Sequence, residues 1–149
     1  MMPFRFALEK ALDWRRMQLE LEETQFKQQL AAMAALDRAR AKLEAEGIRA
    51  EVQVREWRPV AGADLAALGS FRLRTKKMED ELEVRRAECR RKLAEQQAAM
   101  LEARRRFRLL ERLKERRLEE WQKACDRELE ELASESYLAQ WNRRRAASL

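Results

Sequence analysis

Between residues 104 and 118, eight bases (Arg104, Arg105, Arg106, Arg108, Arg112, Lys114, Arg116 and Arg117) meet only two acids, Glu111 and Glu115. The resulting +6 over 15 residues equals the net charge of the whole 149-residue chain. A basic amphipathic stretch of this kind takes an acidic partner: a protein surface, a phosphate backbone or an anionic lipid. Four tryptophans, Trp14, Trp57, Trp121 and Trp141, are the other residues suited to recognition, and tryptophan beside arginine is typical of interface anchors. The plainer readings are a solvated basic collar and tryptophans that pad the ends of a helix seam. Catalytic chemistry has no such candidates. Histidine is absent, no glycine-rich phosphate loop or nucleophile elbow occurs, and Glu119-Glu120 and Glu130-Glu131 are chain neighbours that diverge on a helix surface. No enzymatic activity and no cofactor are expected.

Cys89 and Cys125 are the only cysteines. On one continuous helix the 36 residues between them span about 50 Å, far beyond disulfide reach. They read as small buried hydrophobes. Without histidine or a Cys-x-x-Cys pair, no metal site is expected, and a reducing cytosol suits them. The opening Met-Met-Pro-Phe-Arg-Phe-Ala-Leu-Glu has no apolar core of signal-peptide length, and no stretch approaches 18 apolar residues. The expected location is cytoplasmic.

These side chains need positioning, and the composition allows one kind of element. Charged residues make up 40% of the chain, with only three glycines and two prolines, and neither occurs after Gly69. This is the usage of a coiled coil, whose thinly spread apolar residues fill a two-helix seam better than a globular core. A first helix is expected over about 4–57, with Pro3 suited to its entry. Its seam steps through Leu8, Leu12, Leu19, Phe26, Leu30, Met33, Leu36 (or Ala35) and Leu43, with Arg15, Glu22 and Arg40 in slots that favour apolar side chains. The residue before Pro59 is pushed out of the helical region, and 59–64 is the turn-like cluster, so a hairpin loop is placed at about 58–69. Within it Asp64 is expected to cap a short turn over 65–68 before Gly69-Ser70.

A second helix is then expected over about 70–140, stepping through Phe71, Met78, Leu82, Cys89, Leu93, Met100, Ala103, Phe107, Leu110 and Leu118. Folding about residue 63 makes antiparallel partners add to about 126, to within one helical turn. Leu8 then meets Leu118, Arg15 meets Glu111, Leu19 meets Phe107, Phe26 meets Met100, and Met33 meets Leu93. The expected fold is all-α: a single long antiparallel two-helix coiled-coil hairpin over 1–149, with helix 2 longer than helix 1. A parallel homodimer buries the same stripe and is the alternative. After about residue 122 no first helix remains alongside, yet Cys125, Leu129, Leu132, Tyr137, Leu138 and Trp141 continue the apolar series, for self-association or another protein.

Two stretches carry a resemblance across nearly the whole chain. The opening Phe4-Arg-Phe-Ala-Leu-Glu-Lys-Ala-Leu12 followed by Arg15 or Arg16, and Leu110-Glu-Arg-Leu-Lys-Glu-Arg-Arg-Leu-Glu-Glu-Trp121 with the later Glu130-Glu-Leu-Ala133, resemble the FliJ family of flagellar export proteins. The tail departs from that family in lacking Gln and Lys blocks, and Trp121 stands where tyrosine is commoner. The resemblance implies a cytoplasmic component of the flagellar type III export apparatus, peripheral at the cell membrane through its protein partners. It further implies a coiled-coil hairpin similar to the stalk of a rotary ATPase gamma subunit, which binds the hexameric export ATPase and the cytoplasmic domain of the export gate and assists export chaperones. By that analogy Arg112, Arg116, Arg117 and Trp121 meet the ATPase, while Val54, Trp57 and Phe71 meet the gate. The alternatives are a generic coiled-coil adaptor, an injectisome stalk protein or, behind these, a basic nucleic-acid-binding coiled coil. Nucleic acid ranks last because a parallel zipper joined to a basic arm, or interleaved aromatics, is missing.

Overall fold

The computed structural model describes residues 2–57 and 61–149. Two helices account for nearly all of them, α1 (Glu9–Glu56, 48 residues) and α2 (Gly62–Ala147, 86 residues), and no strand occurs among the described residues. The helices pack against each other as an antiparallel hairpin whose second arm is the longer. By its internal packing the chain divides into two compact units: residues 18–103, and residues up to 17 together with 104–149.

In the unit of residues 18–103, the half-buried and buried positions step by three and four along both helices. Phe26, Gln29, Met33, Leu36 and Leu43 of α1 face Phe71, Thr75, Leu82, Arg86, Cys89, Leu93 and Met100 of α2. Polar contacts set the register: Arg72 pairs with Glu51 at 3.0 Å, Arg86 with Asp37 at 2.9 Å, and Arg40 with Glu83 at 3.4 Å. Each pair adds to 123, about one turn from the expected 126. The hairpin therefore folds nearer residue 61 than 63. An added Cβ at Gly47 would lie 4.0 Å from Thr75 Cγ2, an ordinary contact, so the two helices do not need glycine there.

In the other unit the same sum recurs. Lys114 pairs with Glu9 at 2.8 Å, the Arg16 guanidinium lies 5.6 Å from the Phe107 ring centre, and the Trp121 indole donates to the Met2 carbonyl at 3.1 Å. Leu12 is the most deeply buried side chain, 2% exposed.

Four expectations need correction. Leu8, Leu30 and Met78 are exposed, while Gln29 and Glu79 hold the half-buried positions beside the latter two. Geometry along a three-four stripe chooses the position, and an apolar residue one place off it points to solvent. Arg15 lies over the Trp14 ring at 4.7 Å and does not meet Glu111, because the register is three residues shorter. Helix α1 begins at Glu9 rather than Phe4, since residues 2–6 leave the helical path to lie on Trp121. Finally, α2 begins at Gly62, with Ala61 O accepting from the Asp64 and Leu65 amides, so Asp64, Gly69 and Ser70 are all helical. A glycine inside a helix costs only about 1 kcal/mol, which a helix packed along its length absorbs, and Asp64 favours the positive helix start. Arg58, Pro59 and Val60 of the expected loop lie outside the described residues.

Candidate partner-binding surfaces

The basic stretch of α2 lies in the unit formed with residues up to 17. Phe107, Leu110, Leu113, Lys114, Leu118 and Trp121 are half-buried, so the apolar side chains between the bases are spent on the hairpin, with the exception of Leu109, which is exposed. Arg112, Arg116 and Arg117 are exposed. The arginines are held outward because a face that fills the seam cannot also carry charge without a partner. Lys114 resolves that conflict differently, with its stem along the seam and its ammonium on Glu9.

The four residues assigned to this end do not form one patch. At about 100° per residue, Arg112 and Arg116 share a face nearly opposite the seam, while Arg117 stands one turn before Trp121 beside it. Arg117 also pairs with Glu120 at 3.6 Å, an exposed contact that holds it only weakly. Trp121 is already engaged: the Phe4 ring lies 6.0 Å away at a 55° tilt, and the indole nitrogen is bonded to Met2 O. A short N-terminal arm thus covers the tryptophan that the sequence leaves bare. The signal for it was the Phe4-x-Phe6 pair ahead of the helix, both half-buried here.

At the turn-proximal end, in the unit of residues 18–103, Val54 and Phe71 are half-buried seam residues, and Trp57, just past α1, is 43% exposed. Phe71 lines a shallow open groove with Gly47, Ile48, Thr75, Glu44, Glu51, Glu79 and Asp80, together with Arg72 and Lys76. Sequence periodicity missed the apolar residues that do reach solvent there, Ile48, Val52, Leu65 and Leu73. Falling off the three-four stripe was their signal.

The most organised electrostatic feature is a polar cluster within the seam of this same unit. Arg86 is buried and donates to Asp37 Oδ1 at 3.0 Å from Nε and to Glu83 Oε1 at 2.5 Å from Nη1. The Arg86 hydrogen bond holds the Glu83 carboxyl below its usual range, outweighing desolvation, with the charges of Arg86, Arg40 and Arg90 adding to it. The hydrogen bonds that Arg86 donates to Glu83 and then to Asp37 raise its own pKa in turn, against desolvation. Nearby, the Gln96 amide donates to the Glu22 carboxylate. Arg86 with Asp37 and Gln96 with Glu22 both tie α2 to α1 within this unit. Neither Arg86 nor Gln96 is identifiable as a seam residue from polarity.

Among the described residues no group of three His, Cys, Asp or Glu side chains could hold a metal ion, and no helix is long and apolar enough to cross a membrane. Both cysteines are free, Cys89 buried and Cys125 half-buried. No protein-family model, curated protein or solved structure matches the chain.

Proposed function

We propose that the protein is a non-enzymatic, stalk-like component of a flagellar type III export apparatus. In this reading it binds the hexameric export ATPase through the basic end of α2, binds the cytoplasmic domain of the export gate through its turn-proximal end, and assists export chaperones. The observation that carries the reading is the exposure of Arg112, Arg116 and Arg117 around a seam already closed by Phe107, Leu110 and Leu118. A surface that has spent most of its apolar side chains internally, leaving Leu109 exposed, and keeps its bases outside suits an acidic socket, where charge sets encounter and orientation. The FliJ-like segments at residues 4–12 and 110–121 fall in the same unit, which joins the family resemblance to that surface. The turn-proximal contact would use Trp57 with Ile48 and Val52 more than Val54 and Phe71, which are engaged in the seam.

The test is stimulation of ATP turnover by the purified export ATPase. Reversing Arg112, Arg116 and Arg117 to glutamate should reduce stimulation at least about tenfold, the scale of several lost charge contacts, while circular dichroism stays unchanged. Normal stimulation by the reversed protein would remove the collar from the interface. Tight, steeply salt-dependent binding to generic duplex DNA would instead favour the nucleic-acid alternative.

A further inference from the structure

Residues 126–149, the end of α2 and the two residues after it, are all exposed, and their apolar side chains do not continue one stripe. At about 100° per residue, Leu129 and Leu132 stay in line with Leu118, Trp121 and Cys125, whereas Tyr137, Leu138 and Trp141 fall on the far side of the helix. Along that far side the order is Glu130 and Glu131, then Ser134, then Tyr137 and Leu138, then Trp141, then Arg144 and Arg145. The series runs from acid through a small residue and an apolar centre to an aromatic and base. Reversed, it is its own complement.

We propose that this face is an antiparallel homodimer contact, with a second copy of the chain as the occupant. With the two-fold axis between Tyr137 and Leu138, Glu130 meets the second copy's Arg145 and Glu131 its Arg144. Trp141 meets Ser134 and Tyr137 meets Leu138, and the symmetry makes each contact twice. A shallow concavity lined by Arg127, Glu130, Glu131, Ser134, Glu135 and Leu138 lies where the second tryptophan lands, and Ser134 leaves it room. Trp141 is 48% exposed, with the Arg145 guanidinium 5.3 Å from its ring centre, so aromatic and base arrive together. A parallel pairing would set acid on acid and base on base, which disfavours it. The two charge blocks are spaced symmetrically about the apolar centre, a symmetry that a second copy requires and an unrelated helix does not. A contact this short lies at the small end of interface sizes, so association belongs in the micromolar range. The contact uses none of Arg112, Arg116 and Arg117, so it stands apart from the export reading.

Sedimentation equilibrium of the full chain in low salt tests it. At about 200 μM, well above a micromolar dissociation constant, the mass should approach twice 17.8 kDa. Trp141→Ala keeps every charge and favours helix, and should weaken association at least about tenfold. Glu130→Arg with Glu131→Arg, and separately Arg144→Glu with Arg145→Glu, should each give monomers. Mixing these two variants one to one should restore the dimer, because only the mixed pair sets opposite charges together at both ends. A wild-type chain that stays monomeric overturns the proposal. So does a dimer that Trp141→Ala leaves unchanged, or a mixture of the charge variants that fails to associate.

Discussion

Residues 104–121 of α2 and residues 126–149 at its end share most of their materials: arginine, glutamate, leucine and a tryptophan each, with neither glycine nor proline. Their fates differ entirely. In the first stretch every third or fourth side chain is half-buried, Lys114 is paired across to Glu9, and Trp121 is covered by Met2 and Phe4. In the second every residue is exposed. The difference lies in how much chain is available opposite, α1 from Glu9 plus a short arm, and not in residue type. Most helical stability in proteins comes from packing rather than propensity, so the two stretches should respond very differently to the same substitution.

The largest effect is expected from truncating one leucine in each setting. Leu12→Ala, opposite the covered stretch, removes a side chain only 2% exposed and should lower stability by about 2–4 kcal/mol in chemical denaturation. Leu132→Ala in the uncovered stretch should change it by no more than about 0.5 kcal/mol in dilute protein. Equal effects would mean that the tail finds cover of its own within the monomer.

Cover also decides what a charge does. Glu83 is held below the usual carboxylate range in the folded protein, so its contribution is fully present above the unfolded value and is lost as pH falls through the depressed one. Glu83→Gln should therefore lower the urea midpoint at neutral pH, with the variant and wild-type curves converging in acid. Curves that stay parallel down to about pH 3 would place the stabilising interaction elsewhere than this carboxylate. A small gain is expected at Gly69, a helical glycine with nothing within 4 Å of an added Cβ. Gly69→Ala should raise stability by about 0.5–1 kcal/mol, chiefly by restricting the unfolded chain. A loss there would mean that the helix bends at this point in solution.

Much of the fold was legible because its causes are local. The absence of helix breakers after Gly69 and the three-four spacing of apolar residues identify both helices and the unequal arms before any contact is known. The candidate surface was legible only in part. Arg112, Arg116 and Arg117 were readable as a charge excess, and they are exposed. Trp121 reads from the sequence as an interface anchor, because no local rule reports that the Phe4 ring returns to it from the far end of the sequence. Val54 and Phe71, which the family resemblance implies at the gate end, are half-buried in the seam, while Trp57 beside them is exposed.

The residue order alone determined that this chain is helical and two-armed, that its positive charge gathers in 15 residues of α2, and that it has no histidine for acid-base work. Those properties follow from composition and period, which act within a few turns of helix. Tertiary structure decided that Gln29 and Glu79 enter the seam while the neighbouring Leu30 and Met78 do not. It also decided that Gly62–Ala147 is one helix and that Arg86 is buried between two carboxylates. The seam residues and Arg86 share one reason. A three-four stripe leaves neighbouring positions nearly equivalent until a second helix arrives, and its register then selects which side chain, polar or not, is covered.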